Sequence, residues 1–242
     1  MRKASLRAFL ARNPFPNGWT DGLFYREKMR AIHRIAPATI GVEGAGARIL
    51  EIGGGRSGLA RLLYPDAEVV TIDLDFALRG DVAFVCGDAC RLPFANGTFD
   101  AVTLLDVLEH IREDEAAARE ALRVTRPGGA VLVSTPNLDW HYPFYRFMKP
   151  LCPPEAALMA SWGHVRRGYT AAQLTGLFGA SPERSATFIN PVTSFYHDLS
   201  FSRLPRRARK PLYAVAAPIV SIGYLAHRPG TPGSETAFAW RR

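Results

Sequence analysis

The run Arg48-Ile49-Leu50-Glu51-Ile52-Gly53-Gly54-Gly55-Arg56-Ser57-Gly58-Leu59-Ala60 constrains this chain more than any other. A short apolar stretch ends in a glycine cluster, and a helical pattern follows. That is the order of a buried parallel strand, a tight turn and a helix start. Glycine permits positive φ and lets a ligand approach the main chain. The unbonded N–H groups of the helix start then face that ligand, and Ser57 is the N-cap candidate. The loop also reads as G-x-G-x-x-G, which alone suits an empty turn as well as a nucleotide-like ligand.

The remaining chain repeats the alternation. Asp21 is placed to cap a helix running to Ala36, and Pro37 stops it. Strands are expected at 47–52, 68–73, 82–86, 99–105 and 129–135, and helices at 57–64 and 113–124. Pro127-Gly128-Gly129 reads as the turn that closes the second of these helices. Alternation of this kind predicts an α/β, doubly wound, mostly parallel sheet. A capped helix at 170–178, a sixth strand at 186–190 and a last strand around 237–240 complete it. The expected organisation is one domain over 1–242: an N-terminal helical extension (1–40), a ligand-binding core (47–136), an acceptor-side region (137–190), a basic helical insertion (191–234) and the last strand (235–242). Residues 1–18, basic and broken by Asn and Pro, are expected to be loosely attached.

Nearly half the residues are apolar (48%), enough for a sizeable core. Lys and Arg exceed Asp and Glu by 30 to 22, which favours an anionic partner without choosing one. Cys86, Cys90 and Cys152 form no CxxC pair, so no metal site or disulfide framework is expected and a reducing, cytoplasmic setting is. The N-terminus has no apolar core of a secretory signal, and no apolar run reaches the ~18 residues of a spanning helix.

In an open parallel sheet the ligand lies beyond the carboxyl ends of the strands. Glu51 closes the first strand, Asp73 closes the second, and Asp88 follows the third. An acid at the end of strand two can accept both ribose hydroxyls, which suits NAD and S-adenosylmethionine alike. Glu51 discriminates between them. A carboxylate so near the turn would repel a pyrophosphate, whereas S-adenosylmethionine carries a sulfonium and an α-amino group instead.

At these residues the chain resembles a class I S-adenosylmethionine-dependent methyltransferase of the small-molecule type. The resemblance is carried by Leu50-Glu51-Ile52-Gly53-Gly54-Gly55, Val70-Thr71-Ile72-Asp73-Leu74-Asp75, Gly87-Asp88-Ala89, Leu92-Pro93-Phe94 through Gly97-Thr98-Phe99-Asp100, Leu105-Asp106-Val107-Leu108-Glu109-His110 and Arg126-Pro127-Gly128-Gly129, in family order. It implies a Rossmann-like methyltransferase fold of seven strands with the last antiparallel. It also implies roles. Gly53 and Gly55 would lie under the methionine portion, with Glu51 near its amino group. Asp73 would hold the ribose and Leu74 would pack on the adenine. Asp88 would take the adenine amino group and the Ala89 N–H a ring nitrogen. Leu105 and Asp106 would border the methyl-transfer point. Where the family often has a third glycine, this chain has Ser57, with Gly58 one place later.

Methyl transfer is an in-line displacement at an already activated carbon, so a base is needed only where the acceptor must lose a proton. His110, after strand four, is the first candidate base. His164, in the polar loop Gly163–Tyr169, is the second, with His141 behind it. The aromatic run Trp140–Phe147 either walls the acceptor site or is core under a loop. Residues 203–226 join Arg203, Arg206, Arg207, Arg209 and Lys210 to an apolar stretch, a candidate contact with anionic membrane; a lid or a dimer contact is the alternative. The expected reaction is methylation of a small-molecule acceptor, at oxygen, lipid-like if the membrane contact holds. The rivals are an RNA methyltransferase, suggested by net charge but lacking an evident RNA-binding appendage, an NAD-linked oxidoreductase, and a cofactor-binding module without turnover.

Overall fold

The computed structural model describes residues 1–14, 22–42, 46–54, 58–75, 83–228 and 230–242. Asp21, Gly55, Ser57 and Val82 therefore lie outside the described residues. Among those described, seven strands form one sheet in the order β3-β2-β1-β4-β5-β7-β6. They are β1 (Arg48–Ile52), β2 (Glu68–Asp73), β3 (Ala83–Cys86), β4 (Phe99–Leu105), β5 (Thr125–Pro136), β6 (Arg184–Phe188) and β7 (Glu235–Arg241). β1 to β5 pair in parallel; β7 runs antiparallel to both β5 and β6. The strand that comes last in the chain is thus inserted between its predecessors.

Strand side chains alternate between faces, so each central strand feeds two cores. Ile49, Val69, Ala101 and Leu132 face one; Leu50, Val70, Val102 and Val131 face the other. α4 (Asp114–Val124) and α6 (Ala171–Phe178) cover the second face, with α6 begun by a complete capping box at Thr170 and Gln173. α1 (Leu6–Ala11), α2 (Gly22–Ile35) and α3 (Leu59–Leu63) lie on the first. Later segments join them: α5 (Glu155–Trp162), α7 (Ser194–Ser200) and α8 (Arg206–Ala226).

Three sequence expectations need correcting. The N-terminal segment is pinned rather than loose. The Lys3 ammonium donates to the His33 and Ala36 carbonyls at 2.7 and 2.8 Å, where the end of α2 leaves acceptors unpaired, and Phe9 is fully buried. β5 begins at Thr125, not Gly129, because Thr125 pairs with Phe99 and the Pro127-Gly128-Gly129 turn is a bulge within the strand. β6 lies two residues earlier than expected; its polar start, Arg184-Ser185, sits on a sheet edge and pairs only with β7.

The insertion is bound to α2 by a buried polar knot. The Glu27 carboxylate accepts from the Asn190 backbone (3.2 Å) and side chain (2.5 Å) and from the Thr193 hydroxyl (2.6 Å), and lies 3.4 Å from the His227 ring. Arg30 donates to the Tyr224 carbonyl at 2.6 Å and stacks over its ring. α8 buries Tyr213 and Val220 but leaves Leu212, Val215, Ile219, Ile222 and Leu225 exposed along the opposite side.

Replacing Glu27 by Ala strands several buried donors, so Glu27→Ala should destabilise the fold by roughly 3 kcal/mol. Equilibrium urea unfolding measures this. A loss below about 1 kcal/mol would mean that the knot does not hold the insertion.

Candidate functional site

The carboxyl ends of β1, β2, β3 and β4 open into a cavity of about 270 Å³. Gly53, Asp73, Leu74, Asp88 and Ala89 line it, as do Asp106 and His110. Gly53 has φ +64, and a Cβ there would stand 2.6 Å from Val107 Cγ2, so the turn after β1 admits only glycine. Leu74 is 75% exposed at the cavity wall, a free apolar shelf. The Asp73 and Asp88 carboxylates each accept one local backbone N–H, from Asp75 (3.1 Å) and Cys90 (2.8 Å), which fixes their direction and leaves lone pairs over.

Glu51 is placed differently from expectation. It is 2% exposed, lines neither this cavity nor the second described below, and accepts the Ala60 N–H at 3.0 Å. From β1 it caps α3, whose preceding Gly58 has no side chain to do so. Burial raises its pKa, against the pull of hydrogen bonds from Ala60, Leu59 and Thr71. Leu105 packs on the core and also lines neither cavity.

A second cavity, of about 210 Å³, adjoins the first and shares Asp106 and His110 with it. Its walls are rings, from Phe24, Tyr25, Trp162, His197 and Phe201, and acids, Asp106, Glu109 and Glu235. Asp106 holds φ +56, a region few residues other than glycine adopt. It is kept there by its own N–H to Ser134 O (2.9 Å), by the Ser134 hydroxyl and by an ion pair with Lys28 of α2. Burial alone would depress the Lys28 ammonium, but Asp106, Glu235 and Glu109 outweigh it and hold its pKa above the ordinary value. Burial and the neighbouring Asp106 push Glu235 up to about 8 and raise Glu109 well above the carboxylate range.

His110 ends a 3₁₀ turn, Leu108–His110, and His164 follows α5; their rings meet edge to face at 4.7 Å. The meeting is built by backbone. Val165 N–H donates to Glu109 O at 2.9 Å, and the Arg166 guanidinium spans the Leu108 and Arg112 carbonyls and the Tyr169 hydroxyl. Gly168 lets this loop cross β5: a Cβ there would lie 2.0 Å from Pro136 O. Burial, with help from His110, pushes His164 down to about 4. His141 instead stacks on Phe144, and Trp140 and Tyr142 are core behind the second cavity.

The two histidine candidates therefore converge, and five of the eight cofactor candidates line one cavity; Gly55 lies outside the described residues. Sequence reading did not single out Lys28, Glu109 or Glu235, and left His197 unassigned. Nothing local marks them: Lys28 is one charge on an amphipathic helix, and Glu235 stands next to Glu109 only after β7 inserts.

The strand order and the reversed β7 make a Rossmann-like fold that is shared with solved methyltransferase structures. Residues 50–133 match the family described as Methyltransferase domain. Similar solved structures are an S-adenosylmethionine dependent methyltransferase from Mesorhizobium loti (TM-score 0.57, 18% identity, covering 92% of this chain and 99% of that one) and the N-methyltransferase NodS from Bradyrhizobium japonicum in complex with S-adenosyl-l-homocysteine (0.55, 15%, covering 98% and 96%). At these identities the likeness shows the fold. Among curated relatives, a demethylmenaquinone methyltransferase of Beutenbergia cavernae is 40% identical over 132 residues, 47% of this chain and 55% of that one. A ubiquinone/menaquinone biosynthesis C-methyltransferase UbiE of Pseudomonas paraeruginosa is 38% identical over 122 residues, 42% and 48% respectively. The chain spans about half the length of these relatives.

His197 is buried among Phe24, Trp140, Tyr142, Trp162 and Phe201, and burial pushes it down to about 4. Its unfolded value is near 6.5, so as pH falls the unfolded chain takes up the proton first. The stability that this neutral ring contributes is whole above about pH 6.5 and is lost progressively toward pH 4. His197→Phe should therefore flatten the fall in urea midpoint between pH 7 and pH 4; parallel curves for both proteins would refute the assignment.

Proposed function

We propose that this protein transfers a methyl group from S-adenosylmethionine to a hydroxyl oxygen of a small aromatic acceptor. The observation that carries the reading is the pair of adjoining cavities that meet at Asp106 and His110. S-adenosylmethionine, when bound, supplies an activated methyl carbon. The residues of the first cavity fit it: Asp73 has free lone pairs for ribose hydroxyls, Leu74 offers a flat apolar shelf, and the Asp88 carboxylate and Ala89 lie beyond it for the adenine edge. No cationic side chain lines that cavity among the described residues, which disfavours a dinucleotide's diphosphate.

The second cavity receives the acceptor. Its rings suit a planar aromatic molecule, and its walls exclude water from the transfer point. The Glu109, His110 and His164 corner meets the acceptor's hydroxyl, which must lose its proton as its oxygen attacks. Asp106, held rigid between Lys28 and Ser134, fixes the wall that both ligands share. The names of the relatives, demethylmenaquinone and ubiquinone/menaquinone methyltransferases, support a hydroxylated ring of the quinol class; one of them names carbon as the methylated atom. Methylation at ring carbon is therefore the second reading, and the methyl proton and carbon shifts in the product's NMR spectrum separate the two.

The acceptor's delivery rests on α8. Its exposed stripe of Val215, Ile219, Ile222 and Leu225 continues from Arg206, Arg207 and Lys210, all exposed, an arrangement suited to the headgroup region of an anionic bilayer. No helix among the described residues is long and apolar enough to cross a membrane.

Asp73→Ala should weaken S-adenosylmethionine binding more than tenfold, from loss of charge-assisted hydrogen bonds of ~1.5–3 kcal/mol. Calorimetry with S-adenosylmethionine and NAD reads this directly, and an unchanged dissociation constant would place the ribose elsewhere. For α8, wild type should pellet with phosphatidylglycerol vesicles. Changing Arg203, Arg206, Arg207, Arg209 and Lys210 to Gln should abolish most of that binding at low salt. Absent or salt-insensitive binding of the wild type would remove the membrane contact.

A further inference from the structure

Where the two cavities join, one carboxylate and two imidazoles converge from separate loops. One ligand-type atom from each of Glu109, His110 and His164 lies within 4.8 Å of the others. Glu109 is fully buried, yet neither of its carboxylate oxygens has a hydrogen-bond partner. His164 Nδ1 is buried and unpartnered as well. Native proteins rarely bury bare polar atoms, and a carboxylate with both oxygens idle is among the least favourable cases. The carboxylates of Asp106 and Glu235 line the same cavity, with Lys28 paired to Asp106.

We propose that Glu109, His110 and His164 bind a first-row divalent transition cation. Such an ion would coordinate the idle Glu109 oxygens and the idle His164 nitrogen. Two imidazoles and one carboxylate suit manganese, iron, cobalt or zinc; magnesium and calcium favour all-oxygen sites. The supports around the cluster resemble those that orient metal ligands elsewhere. The Val165 N–H fixes the Glu109 backbone, and Arg166 holds the turn that carries Glu109 and His110. Three protein ligands leave coordination positions open, and Glu109, His110 and His164 all line the second cavity. An ion there would bind the acceptor's hydroxyl and lower its pKa. That consequence rests on the methyl-transfer reading; cation binding itself does not.

The test uses the full chain, stripped with chelator and titrated with MnCl2 in the absence of S-adenosylmethionine and acceptor. About one equivalent of Mn2+ should bind, and the melting temperature should rise with Mn2+ concentration. Co2+ should give visible ligand-field bands from mixed nitrogen and oxygen coordination. His164→Ala and Glu109→Gln should each weaken Mn2+ binding at least about tenfold. His141→Ala, which alters a ring outside the cluster, should leave it unchanged. Glu109→Gln keeps the side chain's shape and leaves no hydrogen bond broken, so the metal-free variant should melt close to wild type, with a smaller response to Mn2+. No saturable uptake of Mn2+ or Co2+ by wild type would overturn the proposal, as would equal affinity in the His164 and Glu109 variants. Metal binding without methyl transfer would leave the cluster standing and remove only its assigned chemistry.

Discussion

Two consecutive charges on one buried helix face organise this molecule. Glu27 turns toward the late insertion and Lys28 toward the ends of the strands. Each is costly to bury alone, and each is tolerated because a partner from far along the chain meets it. Glu27 finds Asn190, Thr193 and His227; Lys28 finds Asp106. α2 thereby fixes the insertion and closes the second cavity at once. Helix packing alone would leave the rotation of α2 loosely set, whereas two buried charges facing different partners fix it.

The site divides its electrostatic work between the two cavities. In the first, Asp73 and Asp88 stay near water and keep lone pairs free, which favours recognition of hydroxyl and amino groups. In the second, burial raises Glu109 and Glu235 and lowers His164 and His197, so charge is disfavoured unless a cation supplies its counterpart. Glu51 belongs to neither. It accepts the Ala60 N–H at the start of α3. Its position at the end of β1 suggests a ligand contact, but the carboxylate is turned inward.

The central sheet was legible because each parallel strand is an apolar run bounded by turn residues, a purely local signal. β2 and β4 match their expected limits, β1 begins one residue later than expected, and β3 ends where expected. The failures share one cause. The edge strand β6 and the short helix α7 are stabilised by partners, not by their own pattern, and the first fourteen residues are held by Lys3 against the end of α2. The same holds for the site. Asp73, Asp88 and His110 follow strands and could be found by position. Lys28 and Glu235 come from opposite ends of the described chain and acquire a role only when the sheet is complete.

The place of β7 has a temporal consequence. Among the described residues β6 pairs with β7 alone, and β7 leaves the ribosome after the other six strands of the sheet. A nascent chain can assemble β1 to β5, with the whole first cavity, while β6, α7 and α8 still have no sheet to join. The second cavity waits longer, because Glu235 opens β7. During synthesis the first cavity would thus be complete well before the second.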